Sequence, residues 1–231
     1  MTRIFEPIMA SALIYIDDIL LFSPTESSHK ELLEKFYQLC DKYGLMLSSS
    51  KSQIGTTEVN FLGMKFSRGK YSPQPHLAEE LPKFPKKDLT VKQIQQFLGI
   101  INYIRDFIPN VSQYTSKLSK MLRKDAPSWG PEQTEAVEQL KQLAKNPPPL
   151  KIPGEGKRIL QTDASDHYWG AVLIEEVEGQ KFYCGHASGQ FKPAETHYHT
   201  TYKETLAVKY GIQKFDFHLS CLLYTSPSPR D

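Results

Sequence analysis

The chain has 231 residues, 39% of them hydrophobic and 23% charged, and a formal net charge of +2. That composition suits an ordinary globular chain of one large domain or two small ones, and it excludes disorder and a uniformly polybasic nucleic-acid binder. Cys40, Cys184 and Cys221 lie far apart with no CxxC spacing, which argues against a disulfide framework or a thiolate zinc site and predicts a reducing, intracellular setting.

The first residues, Met-Thr-Arg-Ile-Phe-Glu, carry a charge of each sign and lead into no apolar core, unlike a signal peptide. Apolar residues 12–21 are interrupted by Asp17 and Asp18 and are too few to cross a bilayer, so no membrane partner is expected. Leu13, Ile14 and Ile16 before the acids, and Ile19, Leu20, Leu21 and Phe22 after them, predict a hairpin of two strands buried on both faces. The spacing of Leu32, Leu33, Phe36, Leu39, Cys40 and Tyr43 predicts an amphipathic helix over 29–43, closed by Gly44. A second hairpin is expected over 59–66 with Tyr71, turning at Gly63 and Gly69. Pro73, Pro75, Pro82 and Pro85 predict a stiff, mostly extended connection.

Thr90-Val-Lys-Gln93 is a capping box, and it opens the strongest helix, with the stripe Ile94, Phe97, Leu98, Ile101 and Ile104 and a stop at Pro109. Further helices are expected over 113–123 and from Pro131 to about Ala144. The prolines at 147–149, with Pro153, Gly154 and Gly156, mark a domain boundary. Beyond it, strands over 159–162, 170–174 and 181–187 precede a helix over 200–217, an α/β arrangement.

Two pairs of carboxylates stand out. Asp17 and Asp18 sit at a tight turn between apolar strands, where two acids repel and lose solvation unless a cation offsets them. On the dipeptide alone, plain turn chemistry is the commoner reason for Asp-Asp. Asp163 ends the first strand of the C-terminal segment, and Glu204 lies on the following helix. A strand-end and a helical carboxylate can converge on one magnesium ion for phosphodiester hydrolysis, although most helical glutamates are simply exposed. Lys117, Lys120, Arg123 and Lys124 fall on one face of the helix expected there, and Lys83, Lys86 and Lys87 form a second group. Either could touch phosphates or be a solvated face. His197 and His199 have no third ligand in sequence and are read as structural.

The context of these pairs carries a resemblance. Tyr15-Ile16-Asp17-Asp18-Ile19-Leu20-Leu21-Phe22-Ser23, followed by His29, Gly44-Leu45 and Phe61-Leu62-Gly63, resembles the polymerase signature of reverse transcriptases of gypsy-type retrotransposons and caulimovirus-type pararetroviruses. Gln96-Phe97-Leu98-Gly99 and Asn102-Tyr103-Ile104-Arg105 are similar to the thumb and connection of those families. Thr162-Asp163-Ala164-Ser165-Asp166, Tyr168-Trp169-Gly170-Ala171, Ala187-Ser188-Gly189-Gln190-Phe191, Glu195, Tyr198, His199 and Lys203-Glu204-Thr205-Leu206-Ala207-Val208 resemble the start of the associated ribonuclease H. The Asp-x-Tyr-Trp-Gly form is nearer the caulimovirus type.

The resemblance implies an α/β (α+β) chain. A partial reverse transcriptase palm would span 1–75, a helical thumb and connection 76–146, a proline-rich linker 147–158, and the N-terminal half of a ribonuclease H-like fold 159–219. It implies that Asp17, Asp18, Asp163 and Glu204 are catalytic metal ligands for Mg2+, two ions per centre. Phe61, Leu62 and Gly63 would contact nucleic acid near the primer, and Lys117, Lys120, Arg123 and Lys124 would contact phosphates. Expected partners are primer–template, RNA–DNA hybrid and deoxynucleoside triphosphates, in the cytoplasm or a virus-like particle. By the same resemblance, further acids lie upstream of Met1 and downstream of Leu219, and residues 220–231 read as translated adapter sequence in which Asp231 supplies no ligand. The isolated chain is therefore expected to be inactive. The alternatives are a non-catalytic nucleic-acid-binding remnant and a ribonuclease H completed by another chain.

Overall fold

The computed structural model describes residues 4–220, and the chain divides into two compact units, Met1–Arg68 and Gly69–Asp231. The expectation for the tail at 220–231 lies, apart from Ser220, outside the described residues. The architecture is α+β in both units.

In the first unit a 3-10 helix, Glu6–Ser11, leads into β1 (Ala12–Tyr15), which pairs antiparallel with β2 (Asp18–Leu21) from Ala12↔Leu21 to Tyr15↔Asp18. Ile16 opens the two-residue turn with φ 53°, a setting that costs a β-branched residue about 1–3 kcal/mol. α1 (Glu26–Tyr43) starts earlier than expected because Thr25 and Ser28 cap each other. Ser28 N–H donates to Thr25 Oγ1 at 3.2 Å and Thr25 N–H to Ser28 Oγ at 3.3 Å. It ends at Gly44 with φ 65°. Phe5, Ile8, Ala12, Leu32, Phe36 and Cys40 form this unit's core, with Phe5 and Phe36 stacked at 5.3 Å.

One expectation is corrected here. β1 and β2 are not buried on both faces: Leu13, Tyr15, Ile16 and Phe22 are exposed. The two-stranded ribbon has α1 and the 3-10 helix against one side, and strand alternation turns Leu13 and Tyr15 to the other. The second hairpin forms from β3 (Glu58–Phe61) and β4 (Met64–Ser67). Its turn residues, Leu62 and Gly63, both have positive φ (48° and 74°), as a primed two-residue turn demands.

The second unit begins with β5 (Lys70–Pro73) and α2 (Pro75–Glu80), followed by a 3-10 helix, Leu81–Lys83. The proline-rich stretch is thus partly helical rather than extended, because Pro75 and Pro82 occupy opening helical positions that need no N–H donor. α3 (Val91–Tyr103) opens on the expected box, with Gln93 N–H donating to Thr90 Oγ1 at 3.3 Å and Thr90 N–H to Gln93 Oε1 at 2.9 Å. It stops well short of Pro109, where Ile104 leaves helical geometry (φ −102°, ψ 10°) and a 3-10 turn, Arg105–Phe107, buries Phe107. α4 (Ser112–Lys120) and α5 (Pro131–Lys145) follow, their buried Leu118, Ala136, Val137 and Leu140 joining Ile94, Phe97 and Ile101 of α3 among the fully buried side chains.

β6 (Leu150–Lys151) pairs with β5, and β7 (Lys157–Ala164), β8 (Tyr168–Val177) and β9 (Gln180–Gln190) make a three-stranded antiparallel sheet. Each strand is longer than its apolar run, since backbone pairing continues through polar residues at both ends. α6 (Thr200–Lys214) packs on β7 and β8, and the helix breaks at Phe215 before α7 (Asp216–Ser220). Gly211 makes the close approach possible: a Cβ there would lie 3.1 Å from Ala171 Cβ and from Thr162 Cγ2.

Candidate active site

Asp17 occupies the β1–β2 turn and Asp18 opens β2, and both carboxylates are exposed. The desolvation cost expected of them is therefore absent, because the turn projects from the ribbon instead of lying inside it. Like charge at adjacent positions remains, beside the strained Ile16. Phe61 and Gly63 are half-buried and Leu62 is exposed at the tip of the β3–β4 hairpin of the same unit.

In the second unit, Asp163 lies one residue from the end of β7, exposed, and pairs across the ladder with Gly170. Glu204 lies two helical turns before Gly211 and is half-buried, so it shares the stripe of α6 that approaches β7 and β8. The N-terminal end of α6 is fixed beside the loop that follows Asp163, for buried Lys203 places its Nζ 3.4 Å from Asp166 Oδ1. Tyr210 tilts against Trp169 at 5.4 Å and donates to Glu195 Oε1 at 2.6 Å. That bond, with burial, pushes the Tyr210 phenol up to about 12. The fold thus carries Asp163 and Glu204 toward one end of the sheet, Asp163 by its register on the face opposite the one α6 covers, with no hydrogen bond or ion pair linking them. Among the described residues no group of three or more His, Cys, Asp or Glu is arranged to hold a metal ion. The donors present are carboxylate oxygens, which suit a hard divalent cation.

The basic residues sort differently from expectation. α4 ends at Lys120, so Arg123 and Lys124 lie in turns beyond it and the four do not share a helical face. Lys117 points to Glu135 at 3.9 Å, whereas Lys120, Arg123 and Lys124 are exposed and form no ion pair among the described residues. In the other group Lys83 pairs with Glu80 at 2.5 Å and Lys86 with Glu138 at 3.1 Å. His199 caps α6, accepting from Thr201 N–H at 3.3 Å through Nδ1, a structural role as expected.

Sequence reasoning missed the polar contacts that fix the sheet. Glu175 on β8, fully buried, meets Arg158 and Lys151 at 2.6 Å each and accepts from the N–H groups of Gly154 and Gly156 at 2.8 Å. On the sheet face opposite α6, Ser112 N–H donates to Ser188 Oγ at 3.0 Å, Ser116 Oγ and Tyr168 Oη bond at 2.8 Å, and Arg105 donates to Ser188 O at 3.0 Å. The glycines at 154 and 156, followed by Arg158, were the available hint of a buried carboxylate. Nothing in sequence pointed to the serines.

Residues 1–66 match the family model of reverse transcriptase (RNA-dependent DNA polymerase), and residues 129–224 match that of an RNase H-like domain found in reverse transcriptase. The chain belongs to the reverse transcriptase–ribonuclease H family.

It is 58% identical over 219 residues to the genome polyprotein of Petunia vein clearing virus (isolate Shepherd), covering 95% of this chain and 10% of that protein. Against the enzymatic polyprotein of Cauliflower mosaic virus (strain D/H) it is 40% identical over 213 residues, covering 90% of this chain and 32% of that protein. The chain therefore spans well under half the length of these relatives. A solved foamy viral protease–reverse transcriptase in complex with RNA/DNA hybrid superposes with a TM-score of 0.76 at 21% identity, over 93% of this chain and 29% of that one. A second foamy viral structure, with double-stranded DNA, gives 0.78 at 22% identity, over 93% and 38%. At such identity the likeness speaks for the fold.

Proposed function

We propose that the chain contributes to RNA-directed DNA synthesis and to hydrolysis of RNA in RNA–DNA hybrids, with the palm end over 1–75, thumb and connection over 76–146, linker over 147–158 and nuclease over 159–219. The observation that carries the nuclease half is the delivery of Glu204 on α6 and Asp163 on β7 to one end of a sheet, beside a loop held by Lys203 and Asp166. Asp17 and Asp18 play the matching part at the exposed β1–β2 turn. The family's chemistry depends on divalent metal, and magnesium suits oxygen donors of this kind. Bound there, it would activate water or a primer hydroxyl and offset charge on the phosphate. Asp163, from the end of β7, and Glu204, from α6, would hold that ion.

Two carboxylates per centre among the described residues would hold a cation only weakly, and phosphate oxygens of bound nucleic acid would add to them. Primer–template, hybrid and deoxynucleoside triphosphates are the proposed partners, in the cytoplasm or a virus-like particle. No helix among the described residues is long and apolar enough to cross a membrane. As an isolated chain, binding without turnover is the proposed behaviour.

The test is hybrid binding by the full chain, followed by fluorescence anisotropy with and without Mg2+. Binding is expected to tighten with Mg2+ in the wild type and not in a D163N/E204Q double variant. Equal response in both would leave only a remnant that binds nucleic acid without a metal centre. The exposed, unpaired Lys120, Arg123 and Lys124 favour that second reading.

A further inference from the structure

We infer that Asn110, in the segment that leads into α4, is a specificity residue of the nuclease site: its side-chain amide bonds the ribose 2′-OH of the RNA strand whose phosphate meets Asp163. The inference rests on the nuclease reading above. It adds a residue from outside the nuclease sheet that tells RNA from DNA. Its ground is the difference between the two faces of that sheet. A Cβ on Gly211 of α6 would meet Leu160 and Thr162 of β7 and Ala171 of β8, so α6 covers the face of those residues. Alternation turns Gln161 and Asp163 of β7, Tyr168 and Gly170 of β8, and His186 and Ser188 of β9 to the other face.

On that second face, residues 105–116 lie along β9 and β8. His186 Nδ1 is 3.2 Å from Asp106 O, and Arg105 donates to Ser188 O at 3.0 Å. Ser188 Oγ accepts from Ser112 N–H at 3.0 Å and donates to Ser112 Oγ at 2.9 Å, and Ser116 Oγ bonds Tyr168 Oη at 2.8 Å. On β7, by contrast, Gln161 and Asp163 stay exposed. The segment is thus a wall beside an open polar strip. Asp163, Gly170 and Ser188 form one row across the three strands. Ser112 sits over Ser188 at the far end of that row, and Asn110 steps over to the middle strand. A Cβ on Gly170 would lie 2.6 Å from Asn110 Oδ1. Directly paired Cβ positions are about 4.5–5.5 Å apart, so that oxygen lies no more than about 8 Å from the Asp163 Cβ. Gly170 puts no side chain between the two.

The amide is available. Asn110 is exposed, and its side chain has no hydrogen-bond partner among the described residues, while its backbone carbonyl accepts from Gln113 N–H at 3.3 Å. Its φ of 51° is a left-handed setting that asparagine tolerates better than most residues. An amide offers both a donor and an acceptor, and so does a ribose 2′-OH, the group by which a protein separates RNA from DNA. The ribose attached to a phosphate at Asp163 would lie in the gap between the two side chains.

The experiment measures binding of the full chain, by fluorescence anisotropy in Mg2+, to an RNA–DNA hybrid and to a DNA duplex of the same sequence. The parent chain is expected to prefer the hybrid. N110G removes the amide but accepts the positive φ, so a folded variant is retained. It is expected to lower the hybrid-to-duplex affinity ratio by about three- to tenfold. G170A leaves Asn110 in the chain but puts a methyl where its Oδ1 lies, and is expected to repeat that loss. An unchanged ratio in N110G overturns the inference and leaves the nuclease reading intact. An equal weakening for hybrid and duplex, the mark of a merely structural role, overturns it in the same way. So does a parent chain that binds both alike. Absence of any Mg2+-dependent tightening on the hybrid in the parent chain would overturn the nuclease reading and this inference together.

Discussion

Glu175 is the only carboxylate with a fully buried side chain among the described residues. Burial alone would raise its pKa, but Lys151, the Gly156 N–H, Arg158 and the Gly154 N–H outweigh that and hold it down at about 2. A depressed carboxylate pKa stabilises the fold above its ordinary value near 4.5, and that contribution is lost as pH falls toward about 2. The shift corresponds to on the order of 3 kcal/mol. Glu175→Gln strands two cations and should cost about 3 kcal/mol at neutral pH in urea denaturation, with the gap from wild type closing in acid. A constant gap across that range would contradict the assignment. Ile16 is the converse case, strained and 70% exposed. Ile16→Asn loses little burial and tolerates positive φ, so its denaturation midpoint should rise, by about 1 kcal/mol of stability. Beyond the hint of Gly154, Gly156 and Arg158, neither feature was legible in the residue string. A buried glutamate looks like any other glutamate, and the sign of φ in a two-residue turn depends on which strands pair.

At the scale of elements, helices announced themselves where the chain caps itself. The Thr90–Gln93 box and Gly44 act in place, and Thr90→Ala should lower stability by about 1 kcal/mol in thermal or urea unfolding. What pattern alone overran were the ends. The stripe through Ile104 continues in a 3-10 turn rather than in α3, because packing of Phe107 takes over from helical periodicity. Likewise α4 stops at Lys120, which moves Arg123 and Lys124 off the expected face. Gly211 shows how one small residue sets an interface. Gly211→Val would push α6 off Thr162 and Ala171, with a cost of about 1–3 kcal/mol. The same variant should weaken hybrid binding by displacing Glu204, and normal binding in a destabilised G211V chain would argue against Glu204 as part of the site.

For the molecule as a whole, family and fold class were legible in sequence because the motifs fall in one ordered run, which also singled out the four acids as candidates. Chemical setting was not. The Asp17–Asp18 turn proved exposed, since an apolar strand does not say which of its faces the chain itself covers. The two units each carry one pair of acids. In the proposed function Asp163 and Glu204 act together on a cation and a hybrid. The most direct test is a crystal of the chain with RNA–DNA hybrid and Mn2+, read by anomalous scattering. A peak bonded to carboxylate oxygens of both residues and to a phosphate oxygen of the RNA strand is expected. Hybrid bound with no peak at either carboxylate, or with a peak held by other side chains, would contradict it.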